Sequence, residues 1–396
     1  MNPRTVLVIA TRQIGDVLVT TPLIRAIRRR WPDARIDVLG YEKTMGMLAG
    51  NPDINEVIES AEHPTLSQYL SLIRRCWRAY DLAFVTQISD RAHVYGLLFA
   101  RARVGMVTAS PRHSWWKRAL ALHSVQIDYM HQHALSEKLQ LMSPFAQGDL
   151  FADGVSVVPP VADALPADLA YLRTQPLAVF HATPMWRYKR WPAASWALLA
   201  RELIGRGMHV ALTGSASAQD RQMNAEIAAA VADVSSSSMT SGAAASVADA
   251  TGITDLSGRL TLAQVGTLLR SAQLFVGVDT SVTHLAAACG TPTVAIFGPT
   301  PPTNFGPWPQ GARSAQPYAL VAPLQHNANV ALVQGQAPCV PCRKSGCDNH
   351  FDSRSDCLDQ LASERVLAAC ERMMAASTVP VAPTVAAAPT EQVMSA

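Results

Sequence analysis

Short, β-branched apolar runs alternate along this chain with amphipathic stretches of helical period, and the alternation stops at a proline-rich segment and then begins again. Such a pattern leaves little choice of fold. A run that is apolar throughout must be a strand covered on both faces, which means a parallel sheet flanked by helices. In the first half, residues 6–10, 35–39 and 82–86 read as strands, and 21–31 reads as a helix with Pro22 in its first turn and Pro32 at its end. Pro159, Pro160, Pro166 and Pro176 mark a linker. Beyond them, strands are expected at 177–181, 208–213, 274–278 and 293–297, with helices at 193–204, 262–270 and 281–288. The expectation is an α/β chain of two facing Rossmann-like domains with parallel sheets and a cleft between them. The first spans 1–160, a linker 161–176, and the second 177–374, with a disordered tail at 375–396. The Ala/Ser-rich stretch 228–252 reads as a frayed helix and a loop. Ligands of such sheets sit beyond the C-terminal strand ends.

The chain of 396 residues, 49% apolar and 16% charged, has material for two cores. No apolar run reaches the roughly 18–20 residues of a membrane span, and the stretch 6–10 is too short for a secretory signal. A cytoplasmic protein is expected, with its seven cysteines reduced or bound to metal. Residues 1–150 carry 18 Lys/Arg against 13 Asp/Glu, and the remainder 15 against 17, so the first half is the one suited to an anionic partner. No G-x-G-x-x-G follows either first strand, and no G-x-x-x-x-G-K-[ST] or G-x-S-x-G occurs, which argues against dinucleotide dehydrogenases, P-loop NTPases and serine hydrolases.

Three strand ends carry chemistry. After the first strand, Gly15 permits a tight turn, and Asp16 then stands at the rim of the cleft, either as a base for a hydroxyl proton or as a helix N-cap. After residues 177–181, Lys189 and Arg190 read either as a diphosphate clamp or as a solvated cationic loop. At residues 278–288 a buried strand runs directly into a helix of small residues. Its N–H groups at 280–283 would be free to hold phosphate oxygens, with His284 on the same side as Ser281. The plainer alternative is a structural junction capped by Asp279.

These residues, with Gly15-Asp16-Val17 through Pro22-Leu23, Lys189-Arg190-Trp191-Pro192, Thr213-Gly214-Ser215, Leu256-Ser257-Gly258, the run Asp279 to His284, and Phe297-Gly298-Pro299-Thr300 with Gly306-Pro307, resemble family 9 glycosyltransferases, the ADP-heptose:lipopolysaccharide heptosyltransferases. The resemblance covers roughly residues 4–370 and implies a GT-B fold and an inverting transfer that needs no metal. By that likeness Asp16 matches the catalytic base and Lys189 the phosphate-binding lysine. Thr183, Asp279, Thr280, Ser281 and His284 would line the donor, and Asp220 would lie near the ribose. Many members have Gly where this chain has Ser281, whose side chain restricts how closely a phosphate approaches.

The implied function is transfer of heptose from ADP-heptose to a lipid-linked glycan, the lipopolysaccharide inner core, at the inner face of the cytoplasmic membrane, with no nucleic-acid partner. The alternatives are another nucleotide sugar serving O-antigen or capsule, a sugar-nucleotide epimerase, and a silent nucleotide-sugar-binding subunit. Cys339, Cys342, Cys347 and Cys357 form a compact cluster that suits either a structural zinc or reduced thiols, with no part in the transfer. The run 112–118 interleaves cations with Trp115 and Trp116, suiting either peripheral contact with the membrane or tryptophans packed inward.

Overall fold

A computed structural model of the protein describes residues 1–128, 130–161, 163–235 and 252–377. Two sheets carry the chain. The first has six parallel strands in the order β3-β2-β1-β4-β5-β6: β1 (Thr5–Ala10), β2 (Arg35–Tyr41), β3 (Glu56–Ser60), β4 (Tyr80–Val85), β5 (Ala100–Val107) and β6 (His123–Gln126). The second has seven, in the order β12-β13-β11-β10-β7-β8-β9: β7 (Leu177–His181), β8 (His209–Leu212), β9 (Ile253–Asp255), β10 (Leu274–Val278), β11 (Thr293–Phe297), β12 (Leu324–Asn327) and β13 (Val330–Gln334). Among the described strands only β12 runs antiparallel to its neighbour.

The strands form where the sequence is apolar throughout. In β7, β10 and β11 every residue is buried, as sheets covered on both faces require. Ile9 of the central β1 lies between Leu39 and Val85. The helix Leu262–Ser271 starts at a capping box in which Thr261 and Gln264 each satisfy the other's backbone N–H. The expected helices 193–204 and 262–270 are found at Ala193–Gly205 and Leu262–Ser271, and the expected strands of the second half recur within two residues. The Ala/Ser-rich stretch begins as the end of the helix Ala218–Ser235, and residues 236–251 lie outside the described residues; of the tail expected at 375–396, residues 375–377 end the helix Ser363–Ser377 instead, and 378–396 lie outside the described residues.

The largest apolar cluster runs from β1 and the helix Thr21–Arg30 into Val282, Leu285 and Ala286 of the helix Ser281–Ala288, so the two halves meet through apolar contact as well as across a cleft. Phe84 sits in this cluster, fully buried, with ring centroids 6.4 Å from Trp31 and 6.0 Å from Phe145. Phe84→Ala removes that ring from a site closed on every side and is expected to cost about 3–5 kcal/mol. Urea unfolding monitored by far-UV circular dichroism would test this; an unchanged midpoint would mean that the cluster does not hold the domain together.

Candidate active site

The C-terminal ends of β1, β7, β10 and β11 open on one cleft of about 800 Å³, where open α/β sheets place their ligands. Asp16 lies on its first wall, in the helix Ile14–Leu18 that follows β1. Gln13 occupies the N-cap position and Asp16 stands within the first turn, so the N-cap reading of Asp16 does not hold. Its carboxylate lies on the cleft wall instead, between two cations. Oδ1 lies 3.2 Å from the Lys138 Nζ and Oδ2 lies 3.5 Å from the Arg12 Nε. Burial by itself would raise the Asp16 pKa, but Lys138 first, then Arg12 and His284, more than offset it and hold the carboxyl below its ordinary value. Asp16 is therefore ionised at neutral pH and able to accept a proton.

The second wall follows β7. The His181 Nδ1 is 2.9 Å from the Thr213 hydroxyl, and that hydroxyl donates to the Phe180 carbonyl. The single Thr213 proton is thereby used, so the His181 Nδ1 carries the proton and Nε2 keeps a free lone pair. Burial pulls the His181 pKa down to about 4, which keeps the ring neutral. Beyond it, the Thr183 hydroxyl is buried without a hydrogen-bond partner. Lys189 then reaches into the cleft, its Nζ 2.6 Å from the Asp279 Oδ2. Burial lowers the Lys189 pKa, and Asp279 outweighs that and raises it above the ordinary value, so the ammonium is retained.

The third wall is the junction of β10 with the helix Ser281–Ala288. Thr280 is the N-cap, and its hydroxyl accepts from the Thr283 N–H at 3.4 Å. Read from the sequence, all four N–H groups at 280–283 are free. The cap takes one of them, and the N–H groups of Ser281 and Val282 are left as helix donors without an intrahelical acceptor. A Cβ placed on Gly15 would stand 3.6 Å from the Ser281 Cβ, so the two walls touch here, glycine against serine. The His284 Nδ1 is buried without a partner, and burial lowers this ring's pKa. Two orphaned polar atoms, on Thr183 and His284, therefore belong to one cleft that also holds a cation and a carboxylate. Several other buried polar atoms without partners lie away from the cleft, but these two are on its wall, where a bound ligand could complete their hydrogen bonding.

Residues 70–350 match the model of glycosyltransferase family 9 (heptosyltransferase). The chain belongs to glycosyltransferase family 9. Lipopolysaccharide heptosyltransferase 3 of Escherichia coli K12 is 28% identical over 313 residues, covering 75% of this chain and 83% of that protein. Lipopolysaccharide heptosyltransferase 1 of Pseudomonas aeruginosa is 25% identical over 402 residues, covering 94% and 98%. Among solved structures, the ADP-heptose lipopolysaccharide heptosyltransferase II of Escherichia coli superposes with a TM-score of 0.67 at 20% identity, covering 95% of this chain and all of the other. An Escherichia coli heptosyltransferase solved with ADP gives 0.63 at 19% identity, covering 93% and 99%. The fold is GT-B, and the protein is a glycosyltransferase.

Of the residues singled out in this family 9 chain, Asp16, Thr183, Lys189, Asp279, Thr280, Ser281 and His284 all line the one cleft. Asp220 is not on its wall. The Asp220 carboxylate accepts from the Ser215 N–H at 2.8 Å and ties the turn after β8, which is the work a short acidic side chain does in a loop. The structure also brings in residues that carried no sequence signal. Lys138 lies on the short helix Ala134–Leu139, which is buried along most of its length. Arg343 sits inside the cysteine-rich stretch, yet it lines the cleft and donates to Asn304 and to the Met130 carbonyl, joining the two halves of the chain. Trp186, also on the wall, stacks on Phe351 of the same stretch at 4.2 Å.

Of the two readings of the cysteine cluster, zinc or reduced thiols, the structure shows free cysteines. Cys339 and Cys347 are exposed, Cys357 is buried, and the Cys347 Sγ accepts from the Asp356 N–H. Among the described residues no three His, Cys, Asp or Glu side chains are arranged to hold a metal ion. In the run 112–118 the tryptophans part company. Trp115 is 67% exposed, whereas Trp116 packs edge-on against His93, and Lys117 pairs with Asp90. No helix among the described residues is long and apolar enough to cross a membrane.

Proposed function

We propose that this family 9 glycosyltransferase transfers heptose from ADP-heptose to the inner core of lipopolysaccharide with inversion at the anomeric carbon. The observation that carries the reading is the placement of the ionised Asp16 and the Lys189–Asp279 pair around one cleft. The acceptor hydroxyl gives its proton to Asp16 as its oxygen bonds to the anomeric carbon. The bond from that carbon to the diphosphate oxygen breaks, and ADP leaves with the electron pair. Lys189 and the N–H groups of Ser281 and Val282 take up the charge on the leaving diphosphate, so this chain's own groups do the neutralising. Thr183 and His284 complete their hydrogen bonding on the donor.

In this reading residues 1–160 hold the acceptor and 177–374 the donor, joined by a linker at 161–176. The excess of cations in the first half suits an acceptor that carries acidic groups. The exposed Trp115 beside Arg112 suits peripheral contact with the inner face of the cytoplasmic membrane, where a lipid-linked acceptor is presented. The names of the relatives, lipopolysaccharide heptosyltransferases and one solved with ADP, support this donor and acceptor over other nucleotide sugars.

The test is calorimetric titration of the full chain with ADP, UDP and GDP in the absence of added metal, followed by transfer to heptose-deficient lipopolysaccharide. ADP is expected to bind at least about tenfold more tightly than either rival, a difference of about 1.4 kcal/mol. A preference for UDP or GDP would keep the glycosyltransferase and change its donor. Binding of all three without transfer would favour a silent subunit.

A further inference from the structure

The group that holds Asp16 comes from far along the chain. Lys138 stands on the helix Ala134–Leu139, and its side chain is 3% exposed. Burying an ammonium that deeply is unfavourable unless a partner repays it, and the partner here is the Asp16 Oδ1. The other oxygen of Asp16 faces Arg12 at a longer 3.5 Å, and the Arg12 side chain is half exposed. One oxygen of the carboxylate is thus fixed by a buried cation, and the other is left for a ligand.

The helix that bears Lys138 is itself clamped. The His133 Nδ1 accepts from the Leu135 N–H and its Nε2 donates to the Gly306 carbonyl, so both ring nitrogens are used and burial drives its pKa down to about 3. The Ser136 hydroxyl donates to the Ala315 carbonyl. Lys138 is therefore delivered to Asp16 by a helix pinned to the second half of the chain.

We infer that Lys138 is a positioning residue for the transfer: it fixes the Asp16 carboxylate through Oδ1, turns Oδ2 toward the acceptor hydroxyl and keeps the carboxylate charged. This rests on Asp16 being the base. The charged and titratable groups that face Asp16 are Lys138, Arg12 and His284, and those close to Lys138 are Asp16, Glu137, His133 and His284. Burial raises the Glu137 pKa to about 7 despite the Asp128 N–H and the neighbouring Lys138, so Glu137 titrates near neutral pH. The sign for Asp16 follows from its surroundings. Turnover needs the carboxylate charged, so kcat/KM falls as pH drops through the Asp16 pKa. Without the Lys138 charge, burial prevails, the pKa rises, and the fall begins at higher pH.

The experiment is the pH profile of kcat/KM for the parent, K138M, K138Q, K138R, E137Q and D16N, with thermal melting of each. The acid limb of K138M and K138Q is expected to move up by about one pH unit or more, and K138R is expected to bring it back. K138Q keeps a hydrogen-bond donor without the charge, so it carries the test if K138M does not fold. A drop in rate by the same factor at every pH would overturn the inference, since a merely structural lysine would act that way. So would an equal shift in E137Q, which would make Glu137 the titrating group. D16N separates this from the function it rests on: parental turnover in D16N removes Asp16 as the base, whereas an inactive D16N with an unmoved limb in K138M and K138Q removes Lys138 alone.

Discussion

Asp16→Asn is expected to lower kcat by about 10²- to 10⁴-fold, the range over which a positioned general base contributes, while the ADP dissociation constant stays within about threefold of the parent. The amide keeps the volume and planarity of the carboxylate but has no lone pair basic enough to take the acceptor proton. The proposed donor groups are on the other walls and are not touched, which is why rate and affinity should separate. The substitution also strands the Lys138 ammonium. That ammonium is 3% exposed, so solvent screens little of the loss, and about 3 kcal/mol of stability is the expected cost. Melting curves and ADP titration should therefore accompany the transfer assay. A folded, ADP-binding Asp16→Asn protein with the parental kcat would falsify the assignment of the base.

Lys189→Ala should act on the opposite term. Removing a charged hydrogen bond to the diphosphate is expected to weaken ADP by about 2–3 kcal/mol, or roughly 30- to 150-fold in dissociation constant, and to lower the rate as well because the leaving charge grows in the transition state. Part of the loss comes from Asp279, which is 9% exposed and would then face the phosphates with no cation between. The double substitution Lys189→Ala with Asp279→Asn removes that repulsion and should recover some ADP affinity without recovering the rate. Calorimetry on both variants decides the matter. An ADP affinity in Lys189→Ala within about threefold of the parent would end the diphosphate-clamp reading.

The two substitutions differ in what the sequence could say about them. Lys189 and Asp279 each follow a buried strand and could be singled out from the chain alone, but only the fold sets them 2.6 Å apart. Arg190, next to Lys189, is not on the cleft wall, so the adjacent cations of the sequence divide their roles.

The strands read from the sequence were the fully covered ones, β1, β2, β4, β7, β8, β10 and β11, because cover on both faces forces an unbroken apolar run. The four strands at the sheet edges, β3, β6, β9 and β12, were missed together. An edge strand is partly exposed and carries polar residues, as Glu56-Val57-Ile58-Glu59-Ser60 does, so its period is lost in the surrounding loops. Two inner strands were missed as well: β5, whose run is broken by Arg101 and Arg103, and β13, which is fully buried but set among polar residues.

The fold class, the strand ends that carry the site and seven of the eight expected cleft residues were thus legible in the sequence, because burial and backbone geometry act on neighbours along the chain. The partner of Asp16, the position of Arg343 and the turn-holding role of Asp220 were decided only in three dimensions. Lys138 meets Asp16 across 122 residues, and no local pattern encodes which lysine a distant helix will carry to a carboxylate. Charge pairing depends on distances a few ångströms long, and those distances exist only once the two halves of the chain have packed together.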